Sequence, residues 1–143
     1  MKKLLFTLFL LVCITTSISA QNAEFKEAIY SKVFNPAFSQ DYKKEPVVII
    51  GEFFSPKAWE PYIFPSKVRK YVMFQCVDIG SQTKSDPLSG ENRGDLFCID
   101  KENSDIIFTL KKGDKLKITG TTYTYTNFGI NSVFFIATKI EKE

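Results

Sequence analysis

The chain contains no histidine, which removes Ser-His-Asp and Cys-His catalysis and every His-ligated metal site. There is no phosphate-cradling Gly-x-x-x-x-Gly-Lys, no Gly-x-Ser-x-Gly elbow and no His-Glu-x-x-His helix. Three groups of residues with chemical potential remain. The first is the cysteine pair Cys76 and Cys98. The second is the polar run Asp100, Glu102, Asn103 and Asp105, whose oxygens suit a hard cation such as Ca²⁺. The glycine and distant glutamate of a calcium loop are missing there, so the run is read as a polar turn, and neither metal nor cofactor is assigned. The third is a set of aromatics in turn-rich stretches: Trp59, Tyr62, Phe64, Tyr123, Tyr125 and Phe128. A paired-carboxylate cleft is not expected from so short a chain. The reading is therefore a binding protein and not an enzyme.

The start of the chain has its own grammar. Lys2 and Lys3 precede the almost wholly apolar stretch Leu4 to Ile14, and Ser17-Ile18-Ser19-Ala20 supplies the small residues of an alanine-x-alanine-like cleavage site. The apolar stretch is much shorter than the roughly 20 residues that span a bilayer core. A lipidated Cys13 is disfavoured by bulky Val12 before it. Residues 1–20 are thus expected to be a signal peptide cut after Ala20, giving a periplasmic or secreted product with no transmembrane segment.

Removal of Lys2 and Lys3 lowers the net charge from +3 to +1. That balance gives no broad positive field and argues against a phosphate backbone as the default partner. The mature chain keeps Cys76 and Cys98 only. In an oxidising compartment an even pair reads as a disulfide closing a loop worth roughly 3 kcal/mol; two buried free thiols are the other possibility.

The elements that must position these groups follow from period and punctuation. Asn22 is placed to cap a helix from Ala23 to about Phe34, with Phe25, Ala28, Ile29, Lys32 and Val33 near helical spacing. Asn35-Pro36 ends it, and a charged connector reaches Glu45. The β-branched run Val47 to Phe54 is a strand. Ser55 to Lys67 holds Pro56, Pro61 and Pro65 and is a loop. A second strand is expected from about Val68 to Ile79, then a long polar excursion over Gly80 to Gly94 and a short strand Asp95 to Asp100. Ile106 to Leu110 is ambiguous between helix and strand. After the tight turn Lys111-Lys112-Gly113-Asp114, alternation marks a fourth strand from Lys115 through Thr126. Asn127 to Asn131 turns the chain into a fifth, Ser132 to Ile140. A hairpin turning about Pro87 would set Cys76 directly opposite Cys98, since the two are equidistant from it.

Val47 to Gly51, Phe74-Gln75-Cys76, Leu96-Phe97-Cys98, the Lys-Lys-Gly-Asp-x-Leu-x-Ile-x-Gly stretch ending at Gly120 and the closing apolar strand together resemble an OB-fold. The likeness is to small exported bacterial OB-fold proteins and tRNA-anticodon-like OB families, over about residues 46–143. Gly120 would permit a sharp barrel bend. The resemblance implies a five-stranded, mainly β Greek-key barrel, with residues 21–45 forming the N-terminal helix and connector. It also implies binding on strands two and three and on the loops Ser55–Lys67 and Tyr125–Ser132. Those loops carry Trp59, Tyr62 and Phe64, and Tyr125 and Phe128, with Tyr123 just before. Placed there, the aromatics are expected to stack on bases or sugars or to cap the barrel's open ends. The expected function is an exported, non-catalytic module whose partner is a protein, a glycan or an oligonucleotide. The alternatives are a single-stranded nucleic-acid or oligosaccharide binder using those aromatics, and a small enzyme.

Overall fold

The computed structural model describes residues 25–56, 70–81, 83–85, 92–127 and 130–143. The expected leader, the proline-rich loop from residue 57 to 69 and the tip of the polar excursion lie outside the described residues. The strands are β1 (Val47–Ser55), β2 (Tyr71–Val77), β3 (Lys84–Ser85), β4 (Asn92–Arg93), β5 (Asp95–Asp100), β6 (Lys115–Asn127) and β7 (Ile130–Lys142). Five of them close a barrel in the order β1-β2-β5-β7-β6, and β3 pairs with β4 as a separate two-stranded ribbon. Neighbours in the barrel are antiparallel except β5 and β7, which run parallel. A long β1 shared by two partners, one parallel closure and a segment crossing the barrel end between the third and fourth barrel strands make this the Greek-key barrel of the OB topology.

Alternation explains the interior. Phe74, Cys76, Phe97, Ile99, Phe135 and Ala137 point inward and meet Ile49, Phe53, Leu116 and Ile118 in one core. Phe97 sits at its centre, with ring centroids 5.2 Å from Phe74, 5.1 Å from Phe34 and 5.6 Å from Phe135. Each such ring, fully buried, contributes roughly 2–3 kcal/mol by area removed from water. The stretch left ambiguous by sequence is a 3-10 helix, Asp105–Thr109, that turns Ile107 into the core and leaves Phe108 exposed.

The expected N-terminal helix is corrected. Among the described residues of that stretch only Tyr30–Val33 is α-helical (α1), and the residues just before it are extended. Glu27 bridges Val48 in parallel; Ala28 N–H donates to the Val48 carbonyl at 2.8 Å, and Val48 N–H donates to Lys26 at 3.0 Å. The near-helical spacing of Phe25 to Val33 loses to the unpaired main chain at the start of β1, because strand edges demand hydrogen-bond partners. Tyr30 and Val33 then close the barrel wall. A Cβ at Gly51 would lie 2.8 Å from the Tyr30 ring, so glycine opens the slot that the tyrosine fills. Burial first, then the Asp95 carboxylate, pushes the Tyr30 phenol far above its ordinary value.

The strand β6 changes register midway. Up to Thr119 it pairs β7 as Ile118↔Ile140 and Thr119↔Lys139; from Gly120 the pairing is Gly120↔Ala137 and Tyr123↔Phe134. The extra residue of the bulge is Thr138 of β7, opposite the Gly120 step where the sequence placed a barrel bend. A Cβ at Gly120 would meet the Ile136 carbonyl oxygen at 2.1 Å and the Phe135 ring at 2.7 Å. Beyond the bend, the inward face of β6 is held by the connector. Thr122 Oγ1 donates to the Ser39 carbonyl at 2.6 Å, and the Ser39 and Thr124 hydroxyls lie 3.2 Å apart.

The turn that starts β6 is fixed by Asp114. Its carboxylate accepts the Lys111 N–H at 2.8 Å and pairs with Lys142 Nζ at 2.9 Å, and the Lys111 N–H first, then Lys142, holds its pKa below the usual value.

Two outcomes follow from these contacts. The substitution Gly120→Ala forces backbone atoms apart and should cost about 3 kcal/mol, lowering Tm by roughly 10 °C; an unchanged melt would show that the two strands do not approach so closely. A depressed carboxyl stabilises the fold above its unfolded pKa and ceases to do so as pH falls through the folded one. Melts of Asp114→Asn should therefore fall below wild type at neutral pH and converge with it once the pH drops below the ordinary carboxylate range.

Candidate binding face

The same registers that fill the core dictate what lies outside. Directly opposed residues share a face, so Tyr71↔Asp100, Met73↔Cys98 and Gln75↔Leu96 are outward pairs of β2 and β5. The parallel ladder sets Leu96 beside Phe134 and Cys98 beside Ile136. The bent half of β6 adds Tyr123 beside Phe134 and Thr121 beside Ile136. Two rows result, Gln75–Leu96–Phe134–Tyr123 and Met73–Cys98–Ile136–Thr121, crossing four strands on the outer surface without a charged residue.

Burial is unusual for an outer face. Phe134 is only 4% exposed and Cys98 6%, and Gln75 is also buried; Met73, Leu96, Ile136 and Tyr123 are half-buried. Gln75 Oε1 accepts the Gly94 N–H at 2.9 Å, so its amide is held against the ribbon stem. Tyr125 continues the face beside Ser132. The face ends in a charged clip: Lys70 Nζ lies 3.3 Å from Asp100 Oδ1 and 5.5 Å from the Tyr71 ring centroid. The other side of the barrel is ionic, with Lys115 opposite Glu52, Lys117 opposite Glu141 and a Lys139–Glu141 pair at 2.8 Å.

Of the residues singled out by sequence, Tyr123 and Tyr125 stand two apart on this face. Trp59, Tyr62, Phe64 and Phe128 lie outside the described residues. The expected Cys76–Cys98 bridge is not formed. Both thiols are free; Cys76 opposes Asp95 and points inward, whereas Cys98 opposes Met73 and points outward. The register differs by three from a turn centred on Pro87, because the excursion is lopsided. The ribbon pairs Lys84 with Arg93, spending most of the extra residues on the β2 side, where Ser81 closes a turn onto Asp78. Burial first, with the Asp100 carboxylate next, pushes the Cys98 thiol up to about 12, and burial raises Cys76 strongly as well. Both therefore stay protonated and unfit as nucleophiles.

The acidic run does not gather. Asp100 ends β5 in its pair with Lys70, while Glu102 and Asp105 fall in separate 3-10 turns. Among the described residues no group of three or more His, Cys, Asp or Glu is placed to hold a metal, and no helix is long and apolar enough to cross a membrane.

Sequence reasoning passed over Met73, Leu96, Phe134 and Ile136 as a surface. Their signal was present in the unbroken apolar runs Leu96 to Ile99 and Val133 to Ala137. A barrel strand buries one face in the core, so an unbroken run commits the other to a second apolar surface.

For the thiols, alkylation under denaturing conditions without reductant should modify both Cys76 and Cys98, and reductant should leave Tm unchanged. A fall in Tm on reduction would restore the bridge.

No protein-family model matches the chain, and no curated protein matches it. Among solved structures, it is similar to the mitochondrial single-stranded DNA binding protein Rim1 of S. cerevisiae, with 12% identity, 71% of this chain and 95% of that chain covered, and a TM-score of 0.43. The N-terminal domain of PriB from Thermoanaerobacter tencongensis shares 17% identity over 68% of this chain and 94% of its own, at a TM-score of 0.41. An OBody, AM3L09, bound to hen egg-white lysozyme, shares 13% over 82% and 94%, at 0.49. What those proteins bind is a property of theirs. Strand order and register establish the fold here: a five-stranded barrel of OB topology with an apolar outer face.

Proposed function

We propose that this chain is an exported, non-catalytic binding module that engages its partner on the outer face of β2, β5, β7 and the bent half of β6. One observation carries the reading. The rows Gln75–Leu96–Phe134–Tyr123 and Met73–Cys98–Ile136–Thr121 give an uncharged, largely apolar outer face, reaching solvent at the half-buried Met73, Leu96, Ile136 and Tyr123, on a barrel whose opposite side is ionic. Contiguous apolar surface rimmed by polar groups marks interaction sites. The partner suited to it presents apolar or aromatic groups and little charge, which favours a polypeptide or a glycan. The charge clip at its end is internally matched by Asp100 and Lys70 and offers no surplus cation for phosphate. Protonated thiols and the dispersed acids support a binding role over a catalytic one. Export rests on the leader features Lys2, Lys3, Leu4 to Ile14 and Ala20.

A second reading is favoured by Tyr123 and Tyr125, which sit two residues apart on one face. In it the partner is a single-stranded oligonucleotide or an oligosaccharide stacked on those rings.

The deciding experiment is amide chemical-shift mapping of the mature chain against unstructured peptides, oligosaccharides and short single-stranded oligonucleotides. Binding should move Met73, Leu96, Ile136 and Tyr123, and Ile136→Asp should weaken it at least about tenfold. Shifts centred on Glu52, Lys117 and Lys139 would overturn the face. Response to oligonucleotides alone, with a steep salt dependence, would overturn the preference for an uncharged partner. Export is checked by N-terminal sequencing of the product, which should begin at Gln21; retention of Met1 to Ala20 in mature protein would refute it.

A further inference from the structure

We infer that the N-terminal strap, residues Phe25 to Phe34, is an exchangeable element: two copies of this chain swap straps about the hinge Asn35 to Phe38 and close into a dimer. The inference starts from how the strap is held. Its main chain makes two hydrogen bonds with β1, Ala28 N–H to the Val48 carbonyl and Val48 N–H to the Lys26 carbonyl, and Glu27 pairs with Val48 in parallel. That register carries Tyr30 level with Gly51, where its ring fills the slot that a Cβ would close. Val33 is fully buried, and the Phe34 ring lies 5.1 Å from that of Phe97. The strap is thus a short strand and one helical turn, seated by three side chains in a groove built by the barrel. Main-chain bonds plus pockets for chosen side chains are the terms on which an extended segment adds to a sheet. They are met equally well by the same segment of a second copy.

The hinge is disposed to open. Beyond it the chain is fixed again, because the Ser39 carbonyl accepts the Thr122 hydroxyl and the turn Ser39–Tyr42 packs on β6. Between these anchors the fold-back is made by local bonds to Asn35. The Phe38 and Ser39 N–H groups donate to its carbonyl at 3.0 and 2.9 Å, and the Ala37 N–H donates to its Oδ1 at 2.9 Å. Residues Asn35 to Phe38 are all exposed, so water replaces these bonds when the turn extends. A residue before proline is steered towards extended backbone, which favours the open form at Asn35-Pro36. Four extended residues span about 13 Å.

Exposed apolar side chains show what exchange gains. Phe25, Ile29 and Phe38 are 44%, 60% and 46% exposed, and all three belong to the strap or its hinge. In a closed exchange the two straps and hinges cross beside one another at the two-fold axis. These side chains of both copies then meet, and apolar area leaves water. Each contact that the strap makes in the single chain is remade on the other barrel. The strap of the same chain competes at an effective concentration on the order of millimolar, so the single chain prevails in dilute solution. Exchange is therefore set during folding at high concentration, and its reversal waits on Tyr30, Val33 and Phe34 leaving the core. The inference stands apart from the identity of any ligand, since its readout is which copy's Tyr30 meets which Gly51.

The test refolds the mature wild-type chain at dilute and at near-millimolar concentration and follows it by sedimentation velocity. The dimer fraction should be at least about tenfold higher in the concentrated sample and should persist for hours after dilution. In a dimer refolded from isotopically labelled and unlabelled copies, filtered NOEs should join the Tyr30 ring of one copy to Gly51 of the other. The substitutions Gly51→Ala and Tyr30→Ala each spoil one side of the slot. Refolded together, those two variants should form a heterodimer in excess of either homodimer, with the intact Tyr30 of one on the intact Gly51 of the other. A monomer at every refolding concentration overturns the inference. So does a dimer that dissociates at once on dilution, one whose Tyr30–Gly51 NOEs stay within a copy, or a variant mixture that yields no heterodimer.

Discussion

At Gly120 the strand β6 lies so close to β7 that any side chain would run into the Ile136 carbonyl and the Phe135 ring. Everything on either side of that point depends on it. Before it, β6 is a barrel strand, its Leu116 and Ile118 buried in the core and its lysines outward. At that point the extra residue of a bulge, Thr138 of β7, advances the pairing by one. A one-residue advance exchanges the faces of the strand that carries it, so β7 buries Ile140 on one side of the bulge and Ala137 and Phe135 on the other. The β6 strand keeps its alternation, with Thr122 inward on Ser39 and Tyr123 and Tyr125 outward, and the bulge brings Phe134 and Ser132 beside those tyrosines.

The division of the surface follows from the same geometry. Near the β6 start, outward positions carry Lys115, Lys117, Lys139 and Glu141, which remain solvated and mutually screened. Across β2, β5 and the first half of β7 the outward positions carry Met73, Leu96, Cys98, Phe134 and Ile136. The N-terminal strap completes the opposite wall. Its main chain occupies the idle edge of β1, and Tyr30 enters the gap that Gly51 leaves. A barrel of this size has little core to spare, so the clustered rings of Phe34, Phe74, Phe97 and Phe135 carry much of its stability.

Much of this was legible before any coordinates. The β-branched run of β1, the bounds Asp95 to Asp100 of β5 and the long alternation of β6 are local signals, and local signals survive folding. The role of Gly120 was legible too, because a glycine between two alternating stretches has few other uses. What stayed hidden was relational. Register between β2 and β5 depends on how the excursion between them divides its residues, and composition is blind to that division. The strap was misread because a helical stripe and a parallel edge strand compete for the same apolar residues, and the open edge of β1 decides between them. The apolar outer face was hidden in plain apolar runs, which say that both sides of a strand are covered but not by what.

The most direct measurement is the cross-strand NOE pattern between β6 and β7 in the folded protein. The account requires Gly120 opposite Ala137 and Tyr123 opposite Phe134, following Thr119 opposite Lys139. A ladder with no shift, placing Gly120 opposite Thr138 and Tyr123 opposite Phe135, would turn Phe135 out of the core and contradict it.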